Sequence, residues 1–166
     1  MAKRVLHVDA TLCMGCKTCQ GVCEFIHKGV PLVRVYEPLK GIFMPIVCRH
    51  CEKAPCVEVC PTHALHKDEE GVVLVNSSKC IGCLMCLAVC PFGALMLDSR
   101  TRTIVKCDMC VDLRAQGVPP ACASACPAAA IAYGTIEEVG DKIRKRTAEV
   151  LVRTRFMPGY TLFRVP

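Results

Sequence analysis

Tryptophan is absent from this sequence, and three tyrosines and five phenylalanines are its only aromatics in 166 residues. A conventional core built on large rings is therefore excluded. No run of about eighteen apolar residues, the length a membrane-spanning helix needs, occurs anywhere. The stretch 1–9 carries Lys3 and Arg4 but neither the apolar segment of a signal peptide nor a twin-arginine pair. Neither export nor membrane spanning is indicated. Cytoplasmic placement is expected, although a partner bearing an export signal would carry this chain with it. Phosphate loops, dinucleotide fingerprints, G-x-S-x-G and H-E-x-x-H are also missing. The histidines His7, His27, His50, His63 and His66 are scattered. No catalytic residue is indicated.

What is abundant is cysteine, at sixteen residues. Short cysteine-dense proteins are disulfide scaffolds or metal proteins. A reducing cytosol and tight two-residue spacings favour metal ligands. The central stretch Cys80-Ile81-Gly82-Cys83-Leu84-Met85-Cys86-Leu87-Ala88-Val89-Cys90-Pro91 reads C-x2-C-x2-C-x3-C-P. It is similar to the bacterial ferredoxin run for a [4Fe–4S] cluster. Three thiolates at this spacing wrap one face of a cubane, and the fourth, past a short turn, points to a second cluster. Pro91 stops the helix and sets the exit of the chain.

Such a run requires partner runs, and there are three more. Run one holds Cys13, Cys16, Cys19 and Cys23, and shares C-x-G-C-x-x-C-x-x-V-C with the central run, which is run three. Run two holds Cys48, Cys51, Cys56 and Cys60; run four holds Cys107, Cys110, Cys122 and Cys126. Every cysteine is used, four to a run. Cys23 is followed by Glu24 where the other runs have Pro, which leaves the chain free to continue as a helix there.

The formal net charge of +6 counts cysteine as neutral. A four-thiolate [4Fe–4S] site carries about −2, so four sites would bring the whole to about −2. The basic residues therefore offset cluster charge, and nucleic acid is not an expected partner. Without metal the chain is expected to be largely unfolded.

Between the runs, alternation and turn residues predict short strands at 5–9, 32–36, 42–44, 64–67, 72–75, 94–97, 103–106 and 130–133. Residues 38–41 interrupt the second of these before the third. Residues 68–71 and 98–102 read as hairpin turns. Short helical turns are expected between the third and fourth cysteine of each run. Thr135-Ile136-Glu137-Glu138 matches a capping box opening a helix toward Val152. Gly140 within it costs about 1 kcal/mol relative to Ala. The stretch 156–166 carries three of the aromatics and no cysteine. It reads as a docking tail, open to self-association or to closing the fold.

Four runs at these spacings resemble the four-cluster, ferredoxin-like electron-transfer subunits of redox enzymes. That family serves dimethyl sulfoxide reductases, formate dehydrogenases, hydrogenases, carbon monoxide dehydrogenases and tungsten aldehyde oxidoreductases. The resemblance covers about residues 5–134 and implies an α+β fold of two nested ferredoxin-like, two-cluster units. The outer unit would be residues 1–40 and 100–134, the inner 41–99, and 135–166 a C-terminal helix and tail. It further implies four ligand sets. These are Cys13, Cys16, Cys19 and Cys126; Cys23, Cys107, Cys110 and Cys122; Cys48, Cys51, Cys56 and Cys90; and Cys60, Cys80, Cys83 and Cys86. With no ligand replaced, four [4Fe–4S] clusters are implied rather than three and a [3Fe–4S].

A cubane held by four thiolates has no open position for substrate, so the expected function is a relay of single electrons. The implied partner is a catalytic oxidoreductase subunit: a molybdenum or tungsten enzyme, a nickel carbon monoxide dehydrogenase, or a hydrogenase. The alternative is a structural zinc protein with four-cysteine knuckles. Met14, Ile81, Leu84, Met85 and Val89 are expected to exclude water from the sulfurs. Lys17, Arg49, Lys53 and Lys79 lie close enough in sequence to raise cluster potentials, yet read rather as solvated charges; His50, within run two, is placed to hydrogen-bond a cluster sulfur, yet reads rather as a surface histidine.

Overall fold

The alternating stretches become eight short strands and the cysteine runs become helical turns in the computed structural model, which describes residues 3–153. In chain order these are β1 (Arg4–Val8), α1 (Thr18–Ile26), β2 (Arg34–Leu39), β3 (Ile42–Ile46), α2 (Pro55–Glu58), β4 (Leu65–Lys67) and β5 (Val73–Val75). Then follow α3 (Met85–Val89), β6 (Leu95–Asp98), β7 (Thr103–Lys106), α4 (Val111–Ala115), α5 (Ala121–Ser124), β8 (Ile131–Thr135) and α6 (Ile136–Arg153). Small antiparallel sheets mixed with helices make this an α+β protein.

Three sheets are the local hairpins β2–β3, β4–β5 and β6–β7. The fourth joins β1 to β8, with Arg4 opposite Thr135 and Val8 opposite Ile131. This pairing sets the site. Run one follows β1 and run four precedes β8, so the first and last cysteine runs come together, and α1 packs on α5. Runs two and three meet in the same way through α2 and α3.

Proline decides where the helices stop. It disfavours helical backbone in the residue before it. α2, α3 and α5 accordingly end before Cys60, Cys90 and Cys126, each followed by Pro. With Glu24 in place of Pro, α1 continues past Cys23 to Ile26. The expected interruption at 38–41 is shorter than the sequence suggests. β2 runs through Pro38 to Leu39, and a register shift between Tyr36 and Leu39 absorbs the missing N–H. The capping box of α6 is formed. Thr135 Oγ1 accepts from the Glu138 N–H at 3.2 Å, and the Glu138 carboxylate accepts from the Thr135 N–H at 2.9 Å.

The interior divides into two apolar groups, and cysteines belong to both. One gathers Leu6, Leu32, Val33, Val47, Val72 and Ile131 around Cys19, Cys23, Cys48, Cys107 and Cys122. The other gathers Ala54, Leu65, Val73, Leu95 and Ile104 around Cys56 and Cys86. Successive side chains of a strand face opposite ways, so Val72 enters the first group and Val73 the second. Cys90 touches both. Each fully buried valine or isoleucine here contributes about 2 kcal/mol relative to exposure.

Candidate metal centres

None of the sixteen cysteines is joined in a disulfide. Cys13, Cys16, Cys19 and Cys126 line one cavity beside Pro127 and Pro45. Cys60, Cys80, Cys83 and Cys86 line a second, against Leu65 and Ile104. Cys122 interacts electrostatically with Cys110 and Cys23, and Cys107 with Cys122. Cys56 interacts with Cys48 and Cys90, and half-buried Cys51 shares the loop of Cys48. The groups also lie within electrostatic reach of one another in order: Cys19 acts on Cys122, Cys48 on Cys107, and Cys56 on Cys86. Cys16 and Cys83, in the first and last groups, are the exposed cysteines, whereas Cys23, Cys107, Cys110 and Cys122 are all buried.

The local backbone explains how the loops close. In each run the residue before the second cysteine is left-handed: Gly15 (φ 74°), His50 (φ 45°), Gly82 (φ 66°) and Met109 (φ 58°). A left-handed step next to helical residues turns successive N–H groups inward, making a concavity that suits an anion. Several N–H groups already reach sulfur. Leu32 donates to Cys23 at 3.3 Å, Met109 to Cys107 at 3.3 Å and Ile104 to Cys80 at 3.4 Å. The Thr18 hydroxyl donates to Cys16 at 3.4 Å and, with the backbone there, holds that exposed thiol below its ordinary pKa.

Burial acts in the opposite direction on the interior thiols. It pushes Cys19 and Cys86 up to about 11 and Cys122 to about 12, and holds Cys107 well above the usual thiol range. Thiolates at these positions need a compensating positive charge, which a soft metal centre supplies.

Polar residues that the cysteine spacing does not mark complete the site. His27 donates from Nε2 to Asp108 at 3.1 Å and from Nδ1 to the Cys23 carbonyl at 2.9 Å, with Nδ1 also 3.5 Å from the Cys23 sulfur. Asp108, then Cys23, raise His27 to about 11, so the ring is an imidazolium. His50 is not at the surface, as its place in the sequence suggests, but 4% exposed. Burial first, then Lys106 and Arg114, push it down to about 3. Lys106, which no motif marks, is equally buried and donates from Nζ to the carbonyls of Val73 and Cys107. Tertiary packing decides these burials, and run spacing carries no signal of them.

The expected water shield is also corrected. Met14, Ile81 and Leu84 in the loops, and Met85 and Val89 on the outer side of α3, are 37–66% exposed. Among the basic residues, Lys17, Lys53 and Lys79 are solvated, while half-buried Arg49 lies over the ring of Phe92 at 5.9 Å. His63 and His66 are exposed and His7 is half-buried.

The protein thus fits thiolate-bound iron–sulfur clusters on its own chemistry. It offers four gatherings of soft ligands and inward N–H groups, and among the described residues a buried ammonium without a carboxylate partner and an enclosed His50 Nε2 without a hydrogen-bond partner. Among the described residues no helix is long and apolar enough to cross a membrane. The expected docking tail at 156–166 lies outside the described residues.

Comparison with known proteins agrees with this chemistry. Residues 39–136 match the model of a 4Fe-4S dicluster domain, and residues 10–26 match a 4Fe-4S binding domain. The sequence is 40% identical to the thiosulfate reductase electron transfer subunit of Salmonella typhi, over 81% of this chain and 76% of that one. It is 36% identical to the B subunit of the anaerobic dimethyl sulfoxide reductase of Escherichia coli, over 81% and 75%. It is 38% identical to the B subunit of the polysulfide reductase of Wolinella succinogenes, over 87% and 83%. The zinc alternative has no support in these comparisons.

Proposed function

This protein belongs to the 4Fe-4S dicluster domain family, and from that membership we propose how its sixteen cysteines carry electrons. It is an electron-transfer subunit with four [4Fe–4S] clusters, and catalysis resides in another subunit. Cysteines 13, 16, 19 and 126 hold the first cluster; 23, 107, 110 and 122 the second; 48, 51, 56 and 90 the third; 60, 80, 83 and 86 the fourth. The clusters supply one-electron, outer-sphere transfer with no position open to substrate. The polypeptide's own part is to order and insulate that transfer. β1–β8 pairing closes an outer unit of residues 1–40 and 100–134 around an inner unit of 41–99, the hairpins β2–β3 and β6–β7 spanning the two joins. Electrons follow the line from the first group through the second and third to the fourth.

The observation that carries this reading is the exposure pattern. Cys16 and Cys83, at the two ends of the line, reach solvent, and the second group is wholly buried. A wire needs accessible termini and an insulated middle. Exposed Met14 at one end, and Ile81, Leu84 and Met85 at the other, give each terminus an apolar surface for a redox partner. One partner is the catalytic subunit of an oxidoreductase complex, and the relatives named above favour a reductase. Cytoplasmic placement and an anaerobic setting belong to this reading too.

Anaerobic purification of the native complex tests it. The expected result is about sixteen iron per chain and a co-purifying catalytic subunit with molybdenum or tungsten. Nickel would redirect the partner to carbon monoxide dehydrogenase or hydrogenase. Single Cys→Ser variants in each group should each remove a different paramagnetic signal. Zinc in place of iron would overturn the relay.

A further inference from the structure

Two polar side chains at the centre of the molecule are not explained by the fold. His50 sits at the left-handed step of run two, where runs one and three use Gly15 and Gly82. A side chain is kept there against the backbone preference for glycine. The Val73 N–H donates to His50 Nδ1 at 3.1 Å. The ring proton of the neutral imidazole is therefore on Nε2, which is enclosed and has no partner among the described residues. Lys106 closes on Val73 as well, donating to its carbonyl and to that of Cys107. It makes no ion pair among the described residues and is 4% exposed. A buried ammonium with only carbonyl partners is costly unless an anion lies near.

The anions available are those of the two inner clusters. Cys48 and Cys51 flank His50 in sequence, and Lys106 precedes Cys107 and acts electrostatically on Cys56 too. We propose that His50 Nε2–H and the Lys106 ammonium, both anchored on the backbone of Val73, raise the potentials of the two inner clusters. The inference rests on the four-cluster reading above. Reduction adds one electron from the redox partner at one end of the line, and the same electron leaves to the partner at the other. No bond forms or breaks and no proton moves. The donor and the cation favour the extra negative charge on sulfur, so an electron in transit is held at the insulated centre rather than at an exposed end.

The test is a redox titration of the anaerobic, cluster-loaded full chain, followed by electron paramagnetic resonance. Lys106→Met should lower the midpoints of the inner pair and leave the other two clusters in place; Lys106→Arg should restore them. His50→Leu should lower an inner midpoint, and His50→Gln, which keeps one acceptor and one donor, should lower it less. In the unmutated protein, 15N-histidine labelling should reveal a nitrogen coupled to an inner cluster, lost in His50→Leu. Because His27 Nδ1 also lies 3.5 Å from the Cys23 sulfur, the coupling assigned to His50 must persist in His27→Gln labelled in the same way. Unchanged midpoints, equal shifts in all four clusters, or no coupled histidine nitrogen would overturn the inference. Iron far below about sixteen per unmutated chain would overturn the four-cluster reading, and this one with it.

Discussion

The glycine loops of runs one and three and the side-chain loops of runs two and four make the same left-handed step in opposite surroundings. Gly15 and Gly82 lie in loops whose next cysteines, Cys16 and Cys83, are exposed, with Met14 and Ile81 facing solvent. His50 and Met109 take the same step at 4% and 2% exposure, and the cysteines after them are half-buried or buried. Glycine serves where the loop must curve and a neighbour leaves no room for a Cβ, the Phe43 ring at Gly15 and the Arg102 carbonyl at Gly82. A bulky residue serves where the loop must also fill the interior or bring a donor into it. One backbone geometry thus serves both exposed and buried cysteine loops.

The contrast breaks most severely at a buried ligand. Cys110→Ser should cost more iron than one cluster holds and leave the polypeptide open to proteolysis, whereas Cys16→Ser should lose about a quarter of the iron. Iron and sulfide analysis beside limited proteolysis distinguishes the two. The loops themselves should fail in opposite ways. Met109→Gly removes a side chain that is 2% exposed, and should destabilise the loaded protein by about 3 kcal/mol through the cavity left behind. Gly82→Ala adds a Cβ 2.6 Å from the Arg102 carbonyl oxygen, in a backbone region that costs an L-residue about 1–2 kcal/mol. Urea midpoints of the anaerobic holoproteins report both.

A smaller effect is expected where the β4–β5 turn is tied to the fourth cysteine run. The Arg114 side chain, 5% exposed, reaches Asp68 and Glu70 in the β4–β5 turn and donates from Nε to the Met109 carbonyl at 3.1 Å. Arg114→Ala should cost about 2 kcal/mol, below the figure for a fully buried pair because the carboxylates remain partly solvated. Its urea midpoint should fall while iron content holds. The least effect belongs to the C-terminal helix. Thr135→Ala should cost about 1 kcal/mol and show as faster amide exchange in α6, with cluster signals unchanged.

Much of the molecule is legible without its structure. Strands announce themselves through alternation, the hairpin turns around Gly71 and residues 98–102 through their composition, and α6 through Thr135 and Glu138. Glu24 in place of proline foretells the longer α1. Single side chains judged from their sequence neighbours mislead. Such a judgement puts His50 at the surface, yet it is buried because β5 passes over it and Val73 bonds its ring. It makes Met14, Ile81 and Leu84 a shield for sulfur, yet they face solvent, as do Cys16 and Cys83 in the same loops. Lys106 carries no signal at all, since nothing local distinguishes a buried lysine from a solvated one.

By itself the sequence determined the chemistry: sixteen cysteines at ligand spacing, prolines that end three of the helices at the fourth cysteine, and no constellation for catalysis. These are local properties, set by the reach of a few residues around an inorganic core. Only the tertiary structure decided which runs meet, because the pairing of Arg4 with Thr135 and Val8 with Ile131 closes a loop longer than any local rule can span. It alone decided which cysteines stand at the surface, and that a histidine and a lysine share one valine at the centre. Burial is a property of the whole packed molecule, and these residues acquire it only when all four runs are in place.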